Sequence, residues 1–139
     1  MKMDRIYGII GLAALVIVAV AVGLAVDAGA YEMRSNRENR VRVDVKPVQL
    51  MPGQPAKFEV RMNTHSETLG EDMVAVSSLK DNAGRVYQAT AWQGSGPGGH
   101  HRKGVLEFPK LEDNTDSITL IIKGIANVPE RIFMWPVER

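Results

Sequence analysis

The 139-residue chain contains no cysteine. That absence excludes a disulfide framework, a thiolate zinc site, a cysteine nucleophile and a lipidated N-terminal cysteine. It leaves the compartment open, because a cysteine-free domain is compatible with either side of a membrane. An excess of one charge sign is also missing. The chain has 17 Lys and Arg against 16 Asp and Glu, a formal net charge of +1, and the signs are interspersed after residue 30. No basic stripe of the kind that nucleic acid selects is visible, so no nucleic-acid partner is expected.

Repeats are absent, and no candidate strand is followed by a convincing amphipathic helix, which argues against an α/β arrangement. No Ser-His-Asp or paired-carboxylate constellation stands out. The Lys-Ser/Thr pair and strand-loop-helix setting of a phosphate-binding loop are missing too. After residue 30 the chain is about the length of one ordinary domain, with little material for a deep cleft. An enzyme is therefore not expected.

The chain is rich in apolar residues at its start. Residues 6–26 form a run of 21 without a charge, twelve of them Ile, Leu or Val. As a helix the run would measure about 31 Å, enough for the hydrocarbon core of a bilayer. Those twelve residues alone favour insertion by about 4–7 kcal/mol. Lys2, Asp4 and Arg5 bound one end and Asp27 the other. The expectation is a transmembrane anchor over 6–26 after a short tail, 1–5, with the lipid bilayer as its partner. Ala28-Gly29-Ala30 has the small-x-small form of a signal cleavage site, so removal after Ala30 is the competing reading. Lys2 and Arg5 favour an inside N-terminus, whereas Arg34, Arg37, Arg40, Arg42 and Lys46 argue the opposite way. The cleavage-like tripeptide places the soluble domain outside the cytoplasm.

Residues 27–40 are polar and read as a juxtamembrane linker or a short helical extension. From residue 41 the apolar period becomes two. Val41, Val43 and Val45 alternate with Arg42, Asp44 and Lys46, and Phe58, Val60 and Met62 alternate with Lys57, Glu59 and Arg61. This is the pattern of half-buried antiparallel strands. Further strands are expected over 73–79, 85–92, 104–108, 117–123 and 131–137, making seven in a domain over 41–139. Their number and spacing predict an all-β, immunoglobulin-like antiparallel sandwich. Trp92 and Trp135 lie near strand ends and are expected to pack in the core or at an edge.

The most unusual stretch runs from Trp92 through Gly98, Gly99, His100, His101 and Arg102 to Gly104, and five of its thirteen residues are glycine. The remaining histidine, His65, follows the second expected strand. If successive strands run antiparallel, His65, His100 and His101 emerge at one end of the sandwich, the end where the first strand begins. The tether and the histidines would then share a pole.

Two functions fit this cluster. One is a partner-contact or loop site at His65, Trp92, Gly98, Gly99, His100, His101 and Arg102, serving a non-enzymatic accessory module that acts on a membrane protein. The other is a metal site on His65, His100 and His101. Copper suits imidazole with a thioether, and Met62, Met73 or Asp72 would complete the ligand set. The spacing matches no specific zinc signature, and such histidines can equally fix the loop through the backbone. An anion nest at Gly98 and Gly99 with Arg102 is a minor alternative.

Asn63-Thr64-His65-Ser66, the turn and strand over 81–87, Trp92, the run from Pro97 to Arg102 with Gly104, and residues 128–133 together resemble an uncharacterised family. Its members are small exported or membrane-anchored prokaryotic immunoglobulin-like domains. The resemblance covers about 45–137, and the Gly-Gly-His-His-Arg run is its most specific part. It implies export and an immunoglobulin-like sandwich, but no established activity. A looser similarity is to periplasmic copper-binding β-sandwiches. The chain departs from these in lacking both an N-terminal histidine on the mature domain and a methionine-rich loop.

Overall fold

In the computed structural model the chain divides into two compact units, Met1–Ala30 and Tyr31–Arg139, and the structure describes residues 31–139. The expected tail, the apolar span over 6–26 and the first part of the linker lie outside the described residues. Among the described residues, no helix is long and apolar enough to cross a membrane.

Residues 31–139 form two antiparallel sheets packed face to face. Strands β1 (Arg34–Glu38), β2 (Val41–Gln49), β3 (Pro55–Thr64), β6 (Ala91–Gly94) and β7 (His101–Lys110) make one sheet, in the order β1-β2-β3-β7-β6. Strands β4 (Ser77–Asp81), β5 (Val86–Gln88), β8 (Ser117–Ile122) and β9 (Arg131–Pro136) make the other, in the order β5-β4-β8-β9. The alternation in sequence sets which side chains enter the core. Val41, Val43 and Val45 are fully buried, as are Phe58, Val60 and Met62 on the neighbouring strand. Phe58 and Phe108 meet edge to face with centroids 5.7 Å apart, and Trp135 crosses from the opposite sheet to 5.6 Å from Phe58. Each such apolar side chain contributes about 1.5–3 kcal/mol by leaving water.

The all-β expectation holds, but four details differ. The first is that the supposed linker contains a strand. Arg34–Glu38 pairs with Val41–Val45 through a two-residue turn in which Asn39 and Arg40 both take positive φ (45° and 65°), the conformation that matches strand twist in a tight hairpin. An edge strand exposed on both faces needs no apolar residues, so it left no period-two signal.

The second difference is at 73–79, where the expected strand begins as a short helix, α1 (Met73–Val76). The Asp72 carboxylate accepts hydrogen bonds from the Val74 and Ala75 amides at 3.1 and 3.3 Å, a cap that commits the next residues to a helical turn. The third concerns 85–92, which is two strands in different sheets. The Ala89 amide donates to Ser77 of the second sheet, and the Thr90 amide donates to Glu107 of the first. The chain therefore changes sheets between adjacent residues without reversing direction.

The fourth difference follows from β1. Strand β2 does begin at the end that carries His65, since Val41 pairs with Thr64. The hairpin then returns the preceding chain to the other end, where the Tyr31 hydroxyl donates to the Leu50 carbonyl at 2.8 Å. Where the chain enters the domain and where the histidines sit are opposite poles, not a shared one.

The two outer faces differ in character. That of the second sheet exposes Val86, Ile132 and Met134. That of the first sheet carries Arg37, Arg42, Asp44, Lys46, Lys57, Glu59, Arg61, His101, Lys103 and Glu107, positions opposite in phase to its buried residues.

Candidate functional site: a cationic groove at the histidine pole

Strand register builds a rank of polar side chains across four strands. Arg37 of β1 lies opposite Arg42 of β2, Arg42 opposite Asn63 of β3, and Asn63 opposite His101 of β7. The next rank outward from the pole is Ser35, Asp44, Arg61 and Lys103. Above the first rank the β1–β2 turn brings Arg40, and the loop after β3 brings His65 and Ser66. Together these enclose a groove of about 720 Å³ lined by Arg37, Arg40, Arg42, Asp44, Asn63, Thr64, His65, Ser66 and His101. A smaller hollow of about 300 Å³ adjoins it and shares Asn63 and His101.

The lining holds three guanidiniums against one carboxylate, Asp44. That carboxylate is engaged internally: Oδ1 accepts from Arg42 Nε at 2.9 Å and from the Ser35 hydroxyl. Burial acts to raise the Asp44 pKa, but the Ser35 and Arg42 hydrogen bonds and the charges of Arg42 and Arg37 outweigh it and hold it below the ordinary value. Arg40 has only a long contact with Glu67, 3.8 Å, and its side chain is 77 % exposed. Arg37 has no ion pair among the described residues. Two like charges directly opposite on paired strands oppose sheet stability. The Arg37–Arg42 pair sets two like charges side by side, offset in part by the Asp44 carboxylate.

The loop positions are set by the backbone. The Thr64 hydroxyl accepts from the amides of Ser66 and Glu67, closing the turn that presents His65. Gly98 and Gly99 have φ of 108° and 73°, which glycine alone adopts without strain. Their loop is tied to Leu69 twice: the Gly98 amide donates to the Leu69 carbonyl at 2.8 Å, and the Leu69 amide donates to the Gly99 carbonyl at 3.0 Å. The Gly98 amide is thus not presented to an anion, and the nest reading loses that donor. His100 accepts the Thr64 amide through its carbonyl, and His101 Nδ1 lies 2.7 Å from Asn63 Oδ1.

The metal reading is not reproduced. Among the described residues no three His, Cys, Asp or Glu side chains converge in a way that could hold an ion. Met62 and Met73 are buried in the core, and Asp72 is the helix cap. His65 and His101 share the groove, while His100 is not part of its lining.

Trp92 and Arg102 serve the scaffold. Arg102 is 3 % exposed, and its guanidinium donates to the carbonyls of Leu69, Glu71 and Ser95 at 3.3, 2.7 and 3.3 Å. It also stacks 5.5 Å above the Trp92 ring, whose Nε1 donates to the same Ser95 carbonyl. Burial pushes the Arg102 pKa down, and the charges of Glu71 and Asp72 partly oppose this. A second buried arginine, Arg131, donates to Asn36 Oδ1 and to the carbonyls of Val41, Glu38 and Ile125 at 2.7–3.1 Å. It locks the β1–β2 turn onto the opposite sheet and so fixes where Arg37, Arg40 and Arg42 stand.

Sequence reasoning placed His65 and His101 but missed Arg37, Arg40, Arg42, Asp44 and Asn63 as a lining. The signal for the arginines is their density, four in the nine residues from Arg34 to Arg42. No protein-family model matches the chain, and no curated protein or solved structure matches it either.

Proposed function

We propose that this protein is a non-enzymatic binding or accessory module that engages its partner through the outer face of the five-stranded sheet at the histidine pole. The observation that carries this reading is the rank Arg37, Arg42, Asn63 and His101, with its like-charged pair, beneath a groove of about 720 Å³. A surface that retains an unfavourable pair in a concave, hydrogen-bonding setting is suited to a ligand that relieves the repulsion. The hydrogen bonds around Asp44 and His101 hold a charged surface in position.

The finer fold reading is an immunoglobulin-like domain. Its support is strand order: β2-β3-β7-β6 in one sheet follows the A-B-E-D arrangement of such domains, and β4-β8-β9 in the other follows C-F-G. Anchoring through residues 6–26, with the domain outside the cytoplasm, belongs to the same proposal and rests on the uncharged apolar run and the tripeptide Ala28-Gly29-Ala30.

Site-directed photo-crosslinking of the full chain in its native host tests the reading. A crosslinker at Asn63 should yield a discrete protein adduct, and one at Lys80, on the outer face of the second sheet, should not. Equal adducts from both faces, or none from Asn63, would remove the assignment.

A further inference from the structure

Resting on that binding face, we propose that the groove is a receptor for an acidic peptide segment of a protein partner, one carrying closely spaced Asp or Glu side chains. Arg42 is matched by Asp44 at 2.9 Å, whereas Arg40 meets Glu67 only at 3.8 Å and Arg37 has no ion pair among the described residues. Both guanidiniums come from one hairpin, Arg37 from its first strand and Arg40 from the two-residue turn. Positive φ at Arg40, 65°, is costly for a side-chain-bearing residue and fixes the direction in which it leaves the turn. A planar guanidinium binds a carboxylate through two parallel N–H donors, so the pair suits two neighbouring carboxylates.

Two internal carboxylates already show the chemistry that the groove accepts. Asp44 sits on Arg42 at 2.9 Å, and Glu67 approaches Arg40 at 3.8 Å without closing to a hydrogen bond. The second contact is exposed and weak, so an incoming carboxylate competes with it at little loss. Asn63 and Ser66 add exposed polar groups along the same wall, able to meet a peptide backbone. The volume of about 720 Å³ is far more than a lone inorganic anion fills and lies in the range of pockets that hold short segments.

The groove is set well apart from the first described residues. It lies at the start of β2, and the chain enters the domain beside Leu50, just past the other end of that nine-residue strand. At about 3.3 Å per residue the two are separated by roughly 30 Å. The groove thus lies at the pole opposite Tyr31, and its polar wall suits a peptide segment.

The test uses the purified full chain in detergent and a fluorescein-labelled peptide containing four consecutive Glu, with a four-Gln peptide as control. Fluorescence anisotropy should give saturable binding of the Glu peptide alone, weakening steeply as salt is raised. The double substitution Arg37→Gln, Arg40→Gln should weaken it about ten-fold, and Lys80→Gln should leave it unchanged. Both substituted arginines are exposed, and thermal melting verifies that the variant is folded. Undiminished binding in the double variant, or no binding by the native chain, overturns the proposal. So does competition by inorganic phosphate, or by vesicles of anionic phospholipid, at lower concentration than unlabelled Glu peptide. Crosslinking at Asn63 in vivo that persists when the Glu peptide fails would leave the binding face standing and remove only the acidic ligand.

Discussion

Gly104 lies flat against the indole of Trp92: a Cβ at this position would come within 2.6 Å of the ring. The two residues sit on neighbouring strands, and the missing side chain is what lets the ring cover the strand and reach the guanidinium of Arg102. Gly104→Ala should therefore destabilise the domain by about 1–3 kcal/mol through overpacking, despite the better strand propensity of alanine. Urea denaturation would measure the loss. Trp92→Leu should be less harmful in the Gly104→Ala background than in the native one, because the ring is the obstacle. Additive losses in the double variant would show that the clash is not what limits this site.

Arg131 is fully buried and holds four acceptors from three separate parts of the chain. Arg131→Met keeps the volume and strands those acceptors, for an expected loss of about 3–4 kcal/mol. Arg131→Lys should rescue little, since an ammonium cannot span the positions that a guanidinium fork reaches. Hydrogen exchange distinguishes this from general loosening. Amides of β1 should gain exchange in the variant before those of β8, and uniform acceleration would contradict the clamp.

Acid sensitivity follows from Asp81. Burial acts to raise its pKa, but the Arg85 amide, the Tyr87 hydroxyl, the Ala83 amide and the Arg85 charge together bring it below the ordinary 3.8. A carboxyl depressed in the folded state contributes stability that is present above its unfolded pKa and lost as pH falls through the folded one. Asp44 is shifted in the same direction and adds to the effect. The urea midpoint should be level from pH 7 to about 5 and then fall below about pH 4. Asp81→Asn should cost about 2 kcal/mol at pH 7 and flatten the acid slope. An unaltered slope in that variant would assign acid lability elsewhere.

Arg37→Thr separates stability from binding. The guanidinium faces another across the strand pair, while its attraction to Asp44 is shared with Arg42 and Ser35. Its removal should leave the melting temperature unchanged or slightly raised, by up to about 0.5 kcal/mol in stability. Affinity for the acidic peptide should fall at the same time. A drop in stability of more than 1 kcal/mol would make Arg37 a structural residue.

The core strands were legible because their alternation was strict: Val41 to Val45 and Phe58 to Met62 declare one face apolar and one polar. Strand β1 was not, since Arg34 to Glu38 lies at an edge and meets water on both sides. The junction at Ala89 and Thr90 was invisible because the chain keeps its direction while changing sheets, so nothing in the residue pattern marks the crossing. That same continuity left the alternation of chain direction unchanged from Val41 to His100 although two strands stand where one was expected, so His65 and His101 do emerge at one end. The phase of alternation also held an unused signal. Arg102 shares a register with Gly104, Leu106 and Phe108, and Arg131 with Phe133, Trp135 and Val137, which marks both arginines as inward-facing. What no local pattern could supply was the cross-strand rank, because Arg37 and His101 become neighbours of one groove only through three separate pairings.

The crossing at Ala89 and Thr90 also bears on how the molecule behaves in a crowd. Along that side of the sandwich the two exposed borders, β5 and β6, are one continuous chain, and their strands are only three and four residues long. On the other side β1 and β9 are stitched together, with Arg34 donating to the Met134 carbonyl and Trp135 to that of Glu32. Short, cross-linked borders give a stray strand little to zip onto. The domain can therefore keep a charged face open to solution while its margins resist fibre growth.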